Sequence, residues 1–195
     1  MPDSNRFMSL PLTGCSQVPR LPSAQRSASA QDPAVTLLTD LQQSACVVAS
    51  HRDGLDQTLH LMIRAGVRMV FVSGADGALA GMVSAEDLQG ERPVLVAATR
   101  VVSHHDLTLE DVMTPLTQWP AVDFSVVKNA RLGDIAATLS SHSLRYLLVT
   151  QQKNDQTVLR GLFSARRLEM AMNITITPGL QARSFAELEH DLAHS

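Results

Sequence analysis

The sequence predicts an α/β (α+β) fold in which two β-α-β-β-α repeats pack as one module with pseudo-twofold symmetry. The prediction rests on an internal repeat, on helical apolar stripes and on β-hairpin signals. The stretch 67–73 returns as 144–150, and the stretch 80–85 returns as 160–165. Each copy spans only about 50–60 residues, too few to bury a large core alone. The two copies are therefore expected to pack on one another.

Each copy presents its elements in the same order. The stripe before the first hairpin predicts a helix that ends at Gly66, and the second copy has an equivalent stripe. The stripe residues are Leu55, Leu59, Met62 and Ile63 in the first copy and Leu132, Ile135, Ala136 and Leu139 in the second. One copy alone is not expected to cover the faces led by Leu59, Met62, Ile135 and Leu139, so these faces also predict a dimer. A β-prone run precedes each of these helices, over 46–48 and over 122–127.

The hairpins follow the helices. In the first copy, strands over 69–73 and 78–84 flank the turn signal Asp76-Gly77. In the second copy, the strands are expected over 146–150 and 158–164, with three additional residues in the turn 151–157. A further helix is expected after each hairpin, from Ser84 and from Ser164.

The repeat divides the chain into five parts. Residues 1–33 hold five of the nine prolines and no apolar period, which predicts a disordered N-terminal tail. The first repeat is expected over 34–100 and includes an apolar lead-in predicted to form a short helix. A linker follows over 101–115. The second repeat is expected over 116–173. A C-terminal tail over 174–195 includes a short amphipathic helix over 184–192.

Composition argues against several function classes. A net charge of -3 gives no basic field for nucleic acid or an anionic membrane surface. No apolar run is long enough for a membrane-spanning helix. The two cysteines form neither a disulfide framework nor a metal-ligand pattern, so we expect a cytoplasmic protein without a metal site. No nucleophile and base stand in a recognisable catalytic arrangement, so we expect no enzymatic activity.

The repeat order, the doubled Gly-hydrophobic-hydrophobic-Ser and the phrase Asp111-Val112-Met113-Thr114-Pro115 together resemble tandem cystathionine-β-synthase (CBS) repeats. The resemblance covers residues 44–173. It implies a Bateman module that forms a homodimer and regulates an unidentified target protein. It also implies no cofactor, but an adenine nucleotide or adenosyl ligand (AMP, ADP, ATP or S-adenosylmethionine) in the cleft between the repeats.

The resemblance implies ligand contacts at the strand-to-helix junctions. The first copy carries the complete signature as Gly81, Met82, Val83, Ser84 and Asp87. Ser84 and Asp87 also fit an ordinary capping box, and we expect both roles together.

The second copy keeps Ser164 but carries Arg167 where the acid belongs. Arg167 either binds a phosphate or lies on a solvated helix face. The alternative to ligand sensing is a structural or protein-interaction module that dimerises and whose ligand site is vestigial.

Overall fold

The computed structural model describes residues 27–44 and 46–177. It confirms the predicted mixed fold of strands and helices in two copies. The first part of the chain forms strands β1 to β5 and helices α1 to α4. These are β1 (Thr39–Asp40), β2 (Val48–Ser50), α1 (Leu55–Ala65), β3 (Met69–Ser73), β4 (Leu79–Ser84), α2 (Ala85–Gln89), α3 (Glu91–Arg100), α4 (Leu109–Val112) and β5 (Thr114–Pro115). Short 3-10 helices cover Ala34–Leu37, His104–Asp106 and Leu116–Gln118.

The second copy continues with three strands and three helices. These are β6 (Ala121–Asp123), α5 (Phe124–Val127), α6 (Leu132–Ser141), β7 (Tyr146–Lys153), β8 (Gln156–Ser164) and α7 (Ala165–Met172). The predicted strand over 122–127 is therefore wrong beyond residue 123. Asp123 caps a helical turn instead, because its side chain accepts a hydrogen bond from the backbone N–H of Ser125 at 2.7 Å.

The second hairpin is longer than predicted. Asn154 and Asp155 both have left-handed φ angles, of 50° and 57°, as the two central residues of a tight hairpin turn require. The three additional residues of this copy therefore extend strands β7 and β8 rather than enlarge the turn, as the pairing of Lys153 with Gln156 shows.

The helices before the hairpins cover the sheets with the predicted faces. All four stripe residues of α6 are buried. In α1, Leu55 and Met62 are buried, but Ile63 is 68% exposed, so the predicted stripe is one residue too wide. Gly66 ends α1 in the left-handed conformation, with φ of 66°.

The two sheets exchange their edge strands. One sheet has the order β2-β3-β4-β5 and the other β1-β8-β7-β6. Strand β1 precedes the first repeat but pairs with the second, and β5 precedes the second repeat but pairs with the first. The predicted linker over 101–115 therefore completes the first sheet. This exchange gives the module its pseudo-twofold symmetry.

Gly81 and Gly161 permit the strand exchange. A Cβ atom at Gly81 would lie 2.7 Å from the carbonyl oxygen of Thr114, and one at Gly161 would lie 2.5 Å from that of Thr39. Only a residue without a side chain allows the crossing strand so close. Arg160 further holds β1, since its guanidinium lies 2.6 Å from the Asp40 carboxylate and both side chains are 15% exposed.

The packed chain begins before residue 34. The backbone N–H of Ala28 donates to the carbonyl of Ala171 at 2.8 Å, and that of Leu132 donates to Asp32 at 2.9 Å. Residues 27–33 thus pack on the second repeat, whereas the prediction placed them in the disordered tail. Residues 1–26 and the predicted helix over 184–192 lie outside the described residues.

The apolar helix residues named for dimerisation are covered within one chain. Met62, Ile135 and Leu139 are 1%, 4% and 0% exposed, because each helix packs on its own sheet. Leu59 is half-buried against the first core. The sequence argument for a dimer from these residues is therefore wrong. Among the described residues, no helix has the length and apolarity needed to cross a bilayer.

Candidate functional site

An open cleft of about 850 Å³ lies between the two repeats. Both repeats contribute to its wall, and apolar side chains outnumber charged ones. The charged residues are four arginines and two glutamates, namely Arg68, Arg145, Arg166, Arg167, Glu86 and Glu169. The principal apolar residues are Leu37, Leu41, Val47, Val67, Met69, Phe71, Leu144, Leu162, Met170 and Ile176. An apolar wall with a few convergent charged groups is typical of a site for a small anionic ligand.

The second copy's strand-to-helix junction forms one side of the cleft. Arg167 donates a hydrogen bond to the hydroxyl of Thr39 at 2.9 Å, which joins α7 to the exchanged strand β1. Ser164 is the N-cap of α7, yet its side chain makes no capping hydrogen bond. The hydroxyl of Ser164 and the start of α7 therefore line the cleft together, and a helix start favours a negatively charged group.

A second cationic group of the cleft joins the two repeats. The Oε1 atom of Glu86 lies 2.9 Å from Arg68 and 3.3 Å from Arg145. The side chains of Arg68, Arg145 and Glu86 are 57%, 69% and 36% exposed. Burial raises the pKa of Glu86, but its hydrogen bond from Arg68 and the charges of both arginines outweigh burial and hold the pKa below its ordinary value. Glu86 is therefore an anion at neutral pH.

The first copy's signature residues have structural contacts of their own. The Asp87 carboxylate accepts hydrogen bonds from the backbone N–H of Ser84 at 2.8 Å and from its hydroxyl at 2.7 Å. The backbone N–H of Asp87 donates to the Ser84 hydroxyl at 3.2 Å. This is the capping box that the sequence predicted. The predicted ligand contacts of these two residues stay a prediction.

The predicted site residues are divided between the cleft and the core. Ser164 and Arg167 line the cleft. Met82 and Val83 are fully buried, Ser84 is 4% exposed, and Gly81 lies against β5. None of these four, nor Asp87, belongs to the lining of the cleft described above.

Thr114 of β5 is the counterpart of Thr39 at the first copy's junction. Trp119 donates from its indole N–H to the Thr114 carbonyl at 3.2 Å, and Arg92 donates to the Thr114 hydroxyl at 2.9 Å. Trp119 also packs edge-on against Tyr146, with ring centroids 6.2 Å apart. At the first copy's junction, Arg92 therefore contacts the hydroxyl of Thr114 just as Arg167 contacts that of Thr39 at the second.

The cleft residues that the sequence did not predict include Thr39, Arg68, Arg145 and Glu86. Thr39 could have been found, because Leu37-Leu38-Thr39-Asp40 matches Val112-Met113-Thr114-Pro115 ahead of the second repeat. Arg68 and Arg145 occupy matching positions of the internal repeat. Nothing in the sequence indicates that both converge on Glu86, since that contact depends on how the copies pack.

Comparison with family models and with curated proteins found no match for this sequence. Among solved structures, an uncharacterized conserved protein from Pyrococcus horikoshii superposes with a TM-score of 0.51 at 16% identity, over 73% of this chain and 93% of that one. CBSX2 in complex with AMP gives a TM-score of 0.49 at 22% identity, over 72% and 95%. A putative acetoin utilization protein (AcuB) from Vibrio cholerae gives 0.48 at 22%, over 83% and 97%.

The doubled β-α-β-β-α unit and the exchanged edge strands identify the class of fold. The chain has the fold of a tandem CBS pair, as the sequence predicted. At these identities the likeness shows the fold alone. The residues of the cleft therefore provide the evidence on function.

Proposed function

We propose that the chain is a non-catalytic regulatory module that binds an adenine nucleotide or an adenosyl ligand in the cleft between its repeats. The observation that carries the proposal is the cleft itself, in which apolar residues of both repeats stand beside four arginines. Apolar walls suit a purine base, and guanidinium groups suit phosphate oxygens. Because both repeats line the cleft, a bound ligand bridges them.

Ser164 and Arg167 are the ligand-binding residues proposed on the second copy's side, next to Thr39 of β1, which Arg167 contacts. Arg167 replaces the acid that the family signature places at the ribose. Phosphate contact, rather than ribose contact, is therefore proposed for this position. Ser84 and Asp87 are proposed to contact a ligand only if the capping box of α2 opens.

The test is calorimetric titration of the full chain with AMP, ADP, ATP and S-adenosylmethionine. Arg167→Gln is expected to weaken binding of a phosphate-bearing ligand roughly tenfold, because one charge-assisted contact is lost. Arg64→Gln is the matched control, since Arg64 is exposed on α1 and does not line the cleft. Absence of binding by all four ligands contradicts the proposal and favours the alternative, an interaction module with a vestigial site.

Self-association is part of the proposal. On α3, Val94 and Leu95 are 62% and 63% exposed, which is apolar surface of the kind that a second copy covers. A homodimer is therefore expected by light scattering at micromolar concentration. Leu95→Glu is expected to shift the mass toward that of one chain, and a monomeric wild-type protein contradicts this part of the proposal.

A further inference from the structure

The two convergent arginines of the cleft come from matching positions of the repeats. Arg68 and Arg145 each precede the first strand of their hairpin. The backbone carbonyl of each accepts a hydrogen bond from the first residue of the helix that follows the hairpin. Their backbones are thus fixed by the same contact in both copies. Their side chains are more than half exposed and free to reorient toward a ligand.

Glu86 breaks the symmetry between the copies. Its counterpart in the second repeat is Arg166, so only the first copy places a carboxylate at this position. The carboxylate of Glu86 forms salt bridges with Arg68 of its own repeat and with Arg145 of the other. A single oxygen between two guanidinium groups is the arrangement that a phosphate oxygen also adopts between arginines.

We propose that the ligand of this cleft carries two or more phosphates and that Glu86 is an internal anion which these phosphates displace from Arg68 and Arg145. The inference rests on the proposed function and deepens it by naming the ligand class. Arg167 is hydrogen-bonded to Thr39 on the α7 side of the cleft, whereas Arg68 and Arg145 form salt bridges with Glu86 of α2. Because the arginine side chains lie at two separate places in one cleft, they suit an extended polyphosphate better than a monophosphate.

Because Glu86 competes with the phosphates for both arginines, it lowers the affinity of the cleft for a polyphosphate. Phosphates must break the contacts of Glu86 with both arginines before they bind there. The contacts are at least one-third exposed, so water and salt screen them and the competition is modest. Removing the charge of Glu86 should therefore tighten polyphosphate binding without disturbing the fold.

The experiment compares Glu86→Gln with wild type by calorimetry against AMP, ATP and inorganic tripolyphosphate at low and high salt. We expect Glu86→Gln to bind ATP roughly three- to tenfold more tightly and AMP less than about twofold more tightly. Glu110→Gln removes the same charge on α4, where the side chain is exposed and outside the cleft lining, and is expected to match wild type. Circular dichroism confirms that each variant is folded.

Arg145→Gln gives the opposite test. It should weaken ATP and tripolyphosphate roughly tenfold and reduce the salt dependence of binding, while AMP changes little. If AMP and ATP bind equally and Glu86→Gln leaves both unchanged or weakens them, the inference is overturned while the proposed function stands. If no nucleotide binds to wild type or to Glu86→Gln, the inference is overturned, and the proposed function is overturned with it only when S-adenosylmethionine does not bind either.

Discussion

Replacement of Gly161 by alanine tests whether the strand exchange depends on the glycine. The added Cβ atom would lie 2.5 Å from the Thr39 carbonyl oxygen and 3.0 Å from the Leu38 side chain. The first obstacle is backbone, so relief requires β1 to move. Overpacking of this kind costs about 1–3 kcal/mol, and each backbone hydrogen bond lost from β1 adds about 1 kcal/mol. We therefore expect Gly161→Ala to lower the free energy of unfolding by about 2–4 kcal/mol.

Urea denaturation followed by the fluorescence of the single tryptophan, Trp119, measures this change. Gly54→Ala is the control, because a Cβ atom there meets nothing within 4 Å. Alanine is a poorer N-cap for α1 than glycine but lowers the chain entropy of the unfolded state, so the net cost should stay within about 0.5 kcal/mol. Displacement of β1 also removes Thr39 from Arg167, so nucleotide affinity should fall in Gly161→Ala alone. The reasoning is refuted if Gly161→Ala is as stable as Gly54→Ala.

Three further outcomes are expected. Asp87→Ala removes the capping box of α2 and should cost about 1 kcal/mol in thermal or urea denaturation; an unchanged midpoint contradicts this. Burial raises the pKa of Asp111, but hydrogen bonds from Thr108 and the charge of Arg100 outweigh it and lower the pKa. The contacts of ionised Asp111 therefore stabilise the fold at a pH above the unfolded-state pKa of about 3.9, and this stabilisation is lost as the pH falls through the folded-state pKa. Asp111→Asn should thus destabilise the protein at pH 7 and progressively less below pH 4. Cys46 is exposed in the cleft wall, so ATP should slow its modification by a thiol reagent in Cys15→Ser; equal rates speak against ligand in this cleft.

The fold was predictable because its signals are local and occur twice. The stripe of α6 and the turn at Asp76-Gly77 are patterns within a few residues, and the internal repeat made each copy a check on the other. The prediction was wrong where a side chain overrode the apolar pattern. The run over 122–127 has the composition of a strand, yet Asp123 caps a helical turn that takes up its last four residues.

The candidate site was predictable only in part. The signature at Ser84 and Asp87 indicated a ligand, whereas the structure uses both in a capping box and opens the cleft at the second copy. Arg167 departs from the signature but lines the cleft. The group of Arg68, Arg145 and Glu86 depends on contacts between residues that are far apart in the chain, and a local pattern carries no information on such contacts.

The exchanged strands also determine when each sheet can be completed during translation. β5 follows β4 by about 30 residues, so the first sheet can be completed soon after its own residues have been made. β1 is made earlier still, but its partner β8 lies about 120 residues further along, and the Asp40–Arg160 contact spans that distance. Closing so long a loop is slow and comes late in folding. Strand β1 therefore cannot pair until most of the chain has been translated, and the cleft, which needs Thr39 in place, is not complete before then.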